Sequence, residues 1–178
     1  TATVSTLFPL SDGSDGMEKA LDRICQECEQ AINEGSTILI LSDRGISENN
    51  AALPILLATG AVHHYLIRKG LRMRASLICE TGEARDVHQY ACLIGYGASA
   101  INPYLVWDIA KRLLDSGKAK DLTEKNLIKN YVAAVDKGLL KIMSKMGISK
   151  LASYHGAQIF EAVGISRQVI DRYFTGTG

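Results

Sequence analysis

The sequence predicts an α/β fold: parallel strands with covering helices. Short apolar runs alternate with longer stretches of helical period, and the runs lack the polar alternation of a sheet with one wet face. Polar residues follow directly on the runs, as SDR after TILIL and E after SLIC, where ligand groups gather in parallel architectures.

Thr3 to Leu10 alternates loosely and stops beside Pro9, so it reads as a short strand or entry segment. The turn Asp12 to Gly16 precedes a helix, with Asp15 the expected N-cap. Met17, Ala20, Leu21, Ile24, Cys28, Ala31 and Ile32 share one face of that helix, and Gly35 ends it. Thr37 to Leu41, rich in β-branched residues, is a strand suited to burial on both faces. Asn49 and Asn50 then start a helix that tolerates Pro54 in its first turn and runs to Gly70. Arg74 to Cys79 is the second strand, a helix holds Val87 to Ile94, and Gly97 to Asn102 is a third, weaker strand before Pro103.

Trp107 to Leu114 has helical spacing, and Asp115 to Asp121 is a polar break. Thr123 opens a longer helix toward Met143, whose continuity Gly138 weakens, and Gly147 stops it. Ile148 to Ser153, apolar at 148, 151 and 152, is expected as a fourth strand. Tyr154-His155-Gly156 turns the chain, and Ala157 to Val163 resumes a helix, so that residues 141 to 163 form a helix, strand, helix unit. Ser166 caps a last helix containing Val169, Ile170 and Tyr173, and the final Thr-Gly-Thr-Gly reads as a cut end. Strands near residues 37, 74, 98 and 148 make either half of a (β/α)8 barrel, a partial TIM-barrel-like arrangement, or a small open sheet.

At 178 residues the chain fits one domain, 1–178, or a large piece of one. Hydrophobic residues at 47% and charged residues at 22% exclude a disordered chain. A formal charge of +1 gives no footprint for nucleic acid or an anionic membrane. No apolar run reaches the roughly 20 residues of a membrane span. These features suit an aqueous, reducing compartment. Cys79 and Cys92 lie in apolar runs, which suggests buried thiols rather than disulfides. Cys25 and Cys28 form a C-x-x-C without a second pair or histidines at metal spacing, so no metal site is expected.

The strand-end rule selects Ser42, Asp43, Arg44, Glu80, Asn102, Tyr154 and His155. For each the plainer role is to fasten a loop or cap a helix. Gln158, in the turn after His155, is a further candidate for contact with a neighbouring domain. His63 and His64, adjacent on a helix, point to different faces and are poor joint ligands, one packed and the other exposed. Gly95-Tyr96-Gly97 precedes a strand instead of following one, so it fails as a dinucleotide loop. Lys145, near a helix end, complements the dipole.

Four blocks, TILILSDRG, LPILLATGAVHHYLIRKGLR, SLICETGEARDVHQYACLIGYGASAINPYL and DKGLLKIMSKMG through YFTGT, together cover nearly the whole chain. In that order they resemble the central domain of the glutamate synthase large chain. The resemblance implies a complete enzyme that turns glutamine, 2-oxoglutarate and two electrons into two glutamates with FMN and an iron–sulfur cluster. It implies as partners the amidotransferase and FMN domains of the same polypeptide, with ferredoxin or an NAD(P)H-oxidising subunit as electron source. Its compartment would be the cytoplasm or a plastid stroma. The nucleophilic cysteine that opens the family's amidotransferase is not here, since residue 1 is threonine, and the flavin motif and cluster cysteines are not among these residues. The chain is therefore expected to hold no catalytic residue, cofactor or metal of its own. It reads as a scaffold between catalytic domains and a candidate wall of the path that ammonia follows. The alternative is an autonomous barrel enzyme acting on a small molecule through Asp43, Glu80 and His155.

Overall fold

The computed structural model describes residues 1–119 and 121–178. Lys120, within the expected polar break at 115–121, lies outside the described residues. Four parallel strands form the main sheet: β1 (Ala2–Ser5), β3 (Ile38–Ser42), β5 (Ser76–Glu80) and β6 (Ala100–Asn102), in the order β1-β3-β5-β6. β2 (Leu7–Pro9) and β4 (Asn50–Ala52) make a small antiparallel pair beside it. Between successive main strands run α1 (Gly13–Asn33), α2 (Ile55–Arg68) and α3 (Val87–Gly95). Strand order thus follows chain order, as in an arc of a barrel, and among the described residues the sheet does not close.

The register Val4↔Leu41↔Cys79↔Ile101 aligns the inward rows. Leu39, Leu41, Leu77 and Cys79 pack under α1 and α2 with at most 1% exposure, against Leu21, Ile24, Ile32, Ala58 and Val62. The other face is different. Thr3, Ile38, Ser76 and Ala100 are exposed, and Ile40 and Ile78 only half-buried. The expectation of a strand buried on both faces is corrected here: alternation is hidden in TILIL because isoleucine occupies the outer positions as well.

α4 (Tyr104–Asp115) and α5 (Glu124–Lys145) follow β6. Thr123 caps α5 through the Asn126 amide, 3.3 Å from its hydroxyl. Gly138 does not break α5; it brings the helix against α3, where a Cβ would meet both Val87 methyls within 2.6 Å. Tyr90 and Tyr131 hydroxyls, 2.8 Å apart, link the same two helices.

Several local expectations are overturned. Residues 148–153 are not a strand: Ile148 to Lys150 are irregular and α6 (Leu151–Tyr154) is a single turn. The spacing of 148, 151 and 152 is that of a helix, and among the described residues no strand pairs with the outer edge of β6. Ala157 to Val163 is not helical either. Its Phe160 ring instead stacks on Tyr96, 5.8 Å between centroids, and the Gly156 amide donates to the Gly95 carbonyl at 2.8 Å. Asn50 enters β4 rather than starting a helix: it lies opposite Pro9 of β2, and its own amide and carbonyl are satisfied by Ser47, at 3.4 and 3.1 Å. Asp12, not Asp15, is the N-cap of α1, and Asp15 lies in its first turn. Neither His63 nor His64 is exposed. α7 (Arg167–Tyr173), capped by Ser166 as expected, packs on α2.

Candidate functional site

Parallel register places Ser42 opposite Glu80 and Glu80 opposite Asn102, so the ends of three strands present one polar row. Ser42 Oγ donates to Glu80 Oε2 at 2.6 Å, Asn102 Nδ2 to Oε1 at 3.2 Å, and Arg44 Nε lies 2.9 Å from Oε1. Trp107 Nε1, from the first turns of α4, donates to Asn102 Oδ1 at 3.1 Å. Arg44 also lies over the Tyr104 ring, 4.1 Å from its centroid. Opposite charge and three hydrogen bonds hold the Glu80 carboxyl below the usual carboxylate range, with Arg44 the first cause and Ser42 the second.

Asp43, 1% exposed, forms a second node. It accepts from Thr81 Oγ1 at 2.5 Å and from the Gly82 amide at 3.0 and 3.1 Å. The β5–α3 turn is tied to β3 in this way. Glu83, its carboxyl pushed upward by burial, accepts the Ile55 amide at the start of α2, 3.2 Å from either oxygen. Burial first, and Asp43 second, push the Tyr104 phenol up to about 12.

This row joins five of the residues selected by sequence, Ser42, Asp43, Arg44, Glu80 and Asn102. Thr81, Glu83, Tyr104 and Trp107 were not selected. Thr81 adjoins Glu80, and Tyr104 and Trp107 follow Pro103 at a helix start, so reading the whole strand-end turn would have found them. Tyr154, His155 and Gln158 are elsewhere, because no strand precedes them. Tyr154 is buried among Ala91, Ile94 and Met143. His155 faces the opposite rim, beside the starts of β3 and β5, and Gln158 lies against Gly176. Asp43, Glu80 and His155 therefore do not form one site.

The row is built to fasten. Ser42, Arg44 and Asn102 all direct donors at Glu80, which is kept ionised and makes a poor proton donor at neutral pH. A flavin phosphate would meet two carboxylates here, and the donors near them are already engaged, so the row does not fit FMN. The cysteines do not fit an iron–sulfur cluster. Burial pushes the Cys25, Cys28 and Cys79 thiols up to about 12, away from the thiolate a cluster needs. Among the described residues no three His, Cys, Asp or Glu side chains group so as to hold a metal ion. No helix among them is long and apolar enough to cross a membrane.

Comparison with known proteins gives the family. The model of the glutamate synthase central domain matches residues 1–166. The chain is 51% identical over 164 residues to the NADPH glutamate synthase large chain of Bacillus subtilis, covering 92% of this chain and 11% of that protein. It is 46% identical over 177 residues to the NADH glutamate synthase of Schizosaccharomyces pombe, covering 99% and 8%. To the ferredoxin-dependent glutamate synthase of Pyropia yezoensis it is 46% identical over 185 residues, covering 98% and 12%. The chain thus spans about a tenth of the length of these relatives. With matches that run through β1 to α6 and include the whole strand-end row, the chain belongs to the glutamate synthase central domain family.

Proposed function

We propose that residues 1–178 act as one connecting unit within a glutamate synthase, between an amidotransferase domain and an FMN domain of the same polypeptide. The complete enzyme would form two glutamates from glutamine, 2-oxoglutarate and two electrons, with FMN and the iron–sulfur cluster held outside these residues. Its electron source would be ferredoxin or an NAD(P)H-oxidising subunit, and its compartment the cytoplasm or a plastid stroma. In this reading the chain orients its neighbours and contributes to walling the ammonia path.

The uncovered face of the parallel sheet carries the proposal. Parallel sheets are normally covered on both sides, whereas here Ile38, at 37% exposure, and the half-buried Ile40 and Ile78 face outward. α4 repeats the pattern: Leu105, Ile109 and Leu113, spaced i, i+4 and i+8, are 40%, 46% and 38% exposed. Apolar surface of this kind marks contacts with other parts of a protein. The strand-end row, whose donors and acceptors satisfy one another, suits bracing better than catalysis.

The test is Ile109→Glu in the full-length protein. A connecting role predicts that glutamine-dependent glutamate synthesis falls while synthesis from added ammonia is retained, because relative placement of the two centres is disturbed. Equal retention of both activities with unchanged stability overturns it.

A further inference from the structure

The opposite rim of the sheet concentrates the other sign of charge. An open cleft of about 1040 Å³ lies by the starts of β3, β5 and β6, lined by His63, Arg72, Arg74, Ser76, Ser99 and His155 among others. Among its described lining residues there is no carboxylate.

Arg72 is the fixed point of the cleft. Its Nη1 donates to the Ala75 carbonyl at 2.7 Å, its Nη2 to the Gly97 carbonyl at 2.8 Å and its Nε to His63 Nδ1 at 2.9 Å. These three acceptors are neutral, so they orient the guanidinium without balancing its charge. Because His63 Nδ1 accepts, its proton must sit on Nε2. Burial first, then Arg72, hold this imidazole down to about 4. His155 is depressed for the same two reasons, and its Nε2 is buried with no hydrogen-bond partner. A part-buried cation beside two neutral imidazoles is incomplete electrostatically, and a carboxylate is the group that completes it.

The surroundings decide what carries that carboxylate. Ile38, Ile67 and Met73 edge the cleft at 37%, 49% and 96% exposure. A free inorganic anion would neutralise Arg72 and leave these side chains in water. A peptide segment with an acidic residue between apolar ones would cover both. About nine tenths of the length of the relatives lies outside the matched region, which supplies ample chain.

We propose that this cleft receives a segment of the same polypeptide from outside residues 1–178, an Asp or Glu of which meets Arg72 and Arg74 while its apolar neighbours cover Ile67 and Met73. The proposal rests on the connecting-unit reading and adds the chemistry of one contact.

Full-length protein carrying Arg74→Lys, mixed from isotopically light and heavy preparations, is treated with a carbodiimide and digested. The expected product is a cross-link from position 74 to a carboxylate outside residues 1–178, within one copy. A cross-link between copies overturns the proposal and leaves the connecting role standing, as does one confined to residues 1–178. If no cross-link forms, Met73→Glu decides. Repulsion of an acidic segment predicts about tenfold faster amide exchange over residues 70–76 of the full-length protein, and unchanged exchange overturns the proposal. Inorganic phosphate slowing that exchange in protein that gives no cross-link shows a free-anion site, and also overturns it.

Discussion

Gly60 of α2 and Phe174, just after α7, occupy a space that no side chain at residue 60 can share. A Cβ there would stand 2.7 Å from the Tyr173 carbonyl oxygen and 2.8 Å from Phe174 Cε1. Gly60→Ala is expected to displace α7 and cost about 1–3 kcal/mol, despite the better helix propensity of alanine. The midpoint of urea unfolding should fall at unchanged slope. An unaltered midpoint would mean that α7 does not pack on α2.

The two faces of β3 should respond unequally. Leu41 is fully buried under the helices, whereas Ile40 is on the half-open side. Leu41→Ala is expected to cost about 2–5 kcal/mol through lost burial and a cavity, and Ile40→Ala roughly half as much or less. Equal losses in residues 1–178 alone would show that the outer face is covered within this chain.

Glu80 makes stability depend on acid. Its folded carboxyl is held below its unfolded value, about 4.3, by Arg44 and then Ser42. Its stabilising contribution is therefore complete above the unfolded value and is lost as pH falls through the folded one. Glu80→Gln should lower stability at pH 7 and narrow the gap to the parent chain under acid, measured as unfolding midpoints from pH 7 down to about 3. A gap constant across that range would remove Glu80 from the linkage.

Thiol chemistry should separate the cysteines. Cys25, Cys28 and Cys79 are buried with pKa values near 12, while Cys92, also raised by burial, is the one that is part-exposed. Titration of folded protein at pH 8 with an aromatic disulfide is expected to modify Cys92 first and the other three only on unfolding. Early loss of Cys28 would contradict the packing of α1.

Much of this architecture is legible in the residues because parallel strands announce themselves as apolar runs. TILIL, ASLIC and the weaker GASAIN each contain a rung of the sheet, and the last residues of those rungs, Ser42, Glu80 and Asn102, supply the strand-end row. What failed depends on tertiary context. Asn50-Ala51-Ala52 has no strand propensity and is extended because β2 lies beside it. Ile148 to Ser153 and Ala157 to Val163 carry the right apolar content, but it is Ile148, Ile159 and Phe160 that pack against the cluster holding Ala91 and Ile94 of α3, where Phe160 fills the space beside Gly95. The basic cleft was not legible, since Arg72, His63 and His155 meet only through the crossing of α2, its following turn and the segment after α6.

Because each main strand lies beside its predecessor in the chain, assembly can proceed in the direction of synthesis. Within residues 1–178, the partner of β1 is β3, made after α1, at a separation of 37 residues at Ala2↔Leu39. Thereafter β5 and β6 each join an edge that is already formed, 38 and then 22 residues later at Leu39↔Leu77 and Ile78↔Ala100. The chain closes loops of moderate length one at a time and never waits for a distant strand to insert between two others. A ribosome would therefore release this sheet rung by rung, with its growing edge always the newest strand.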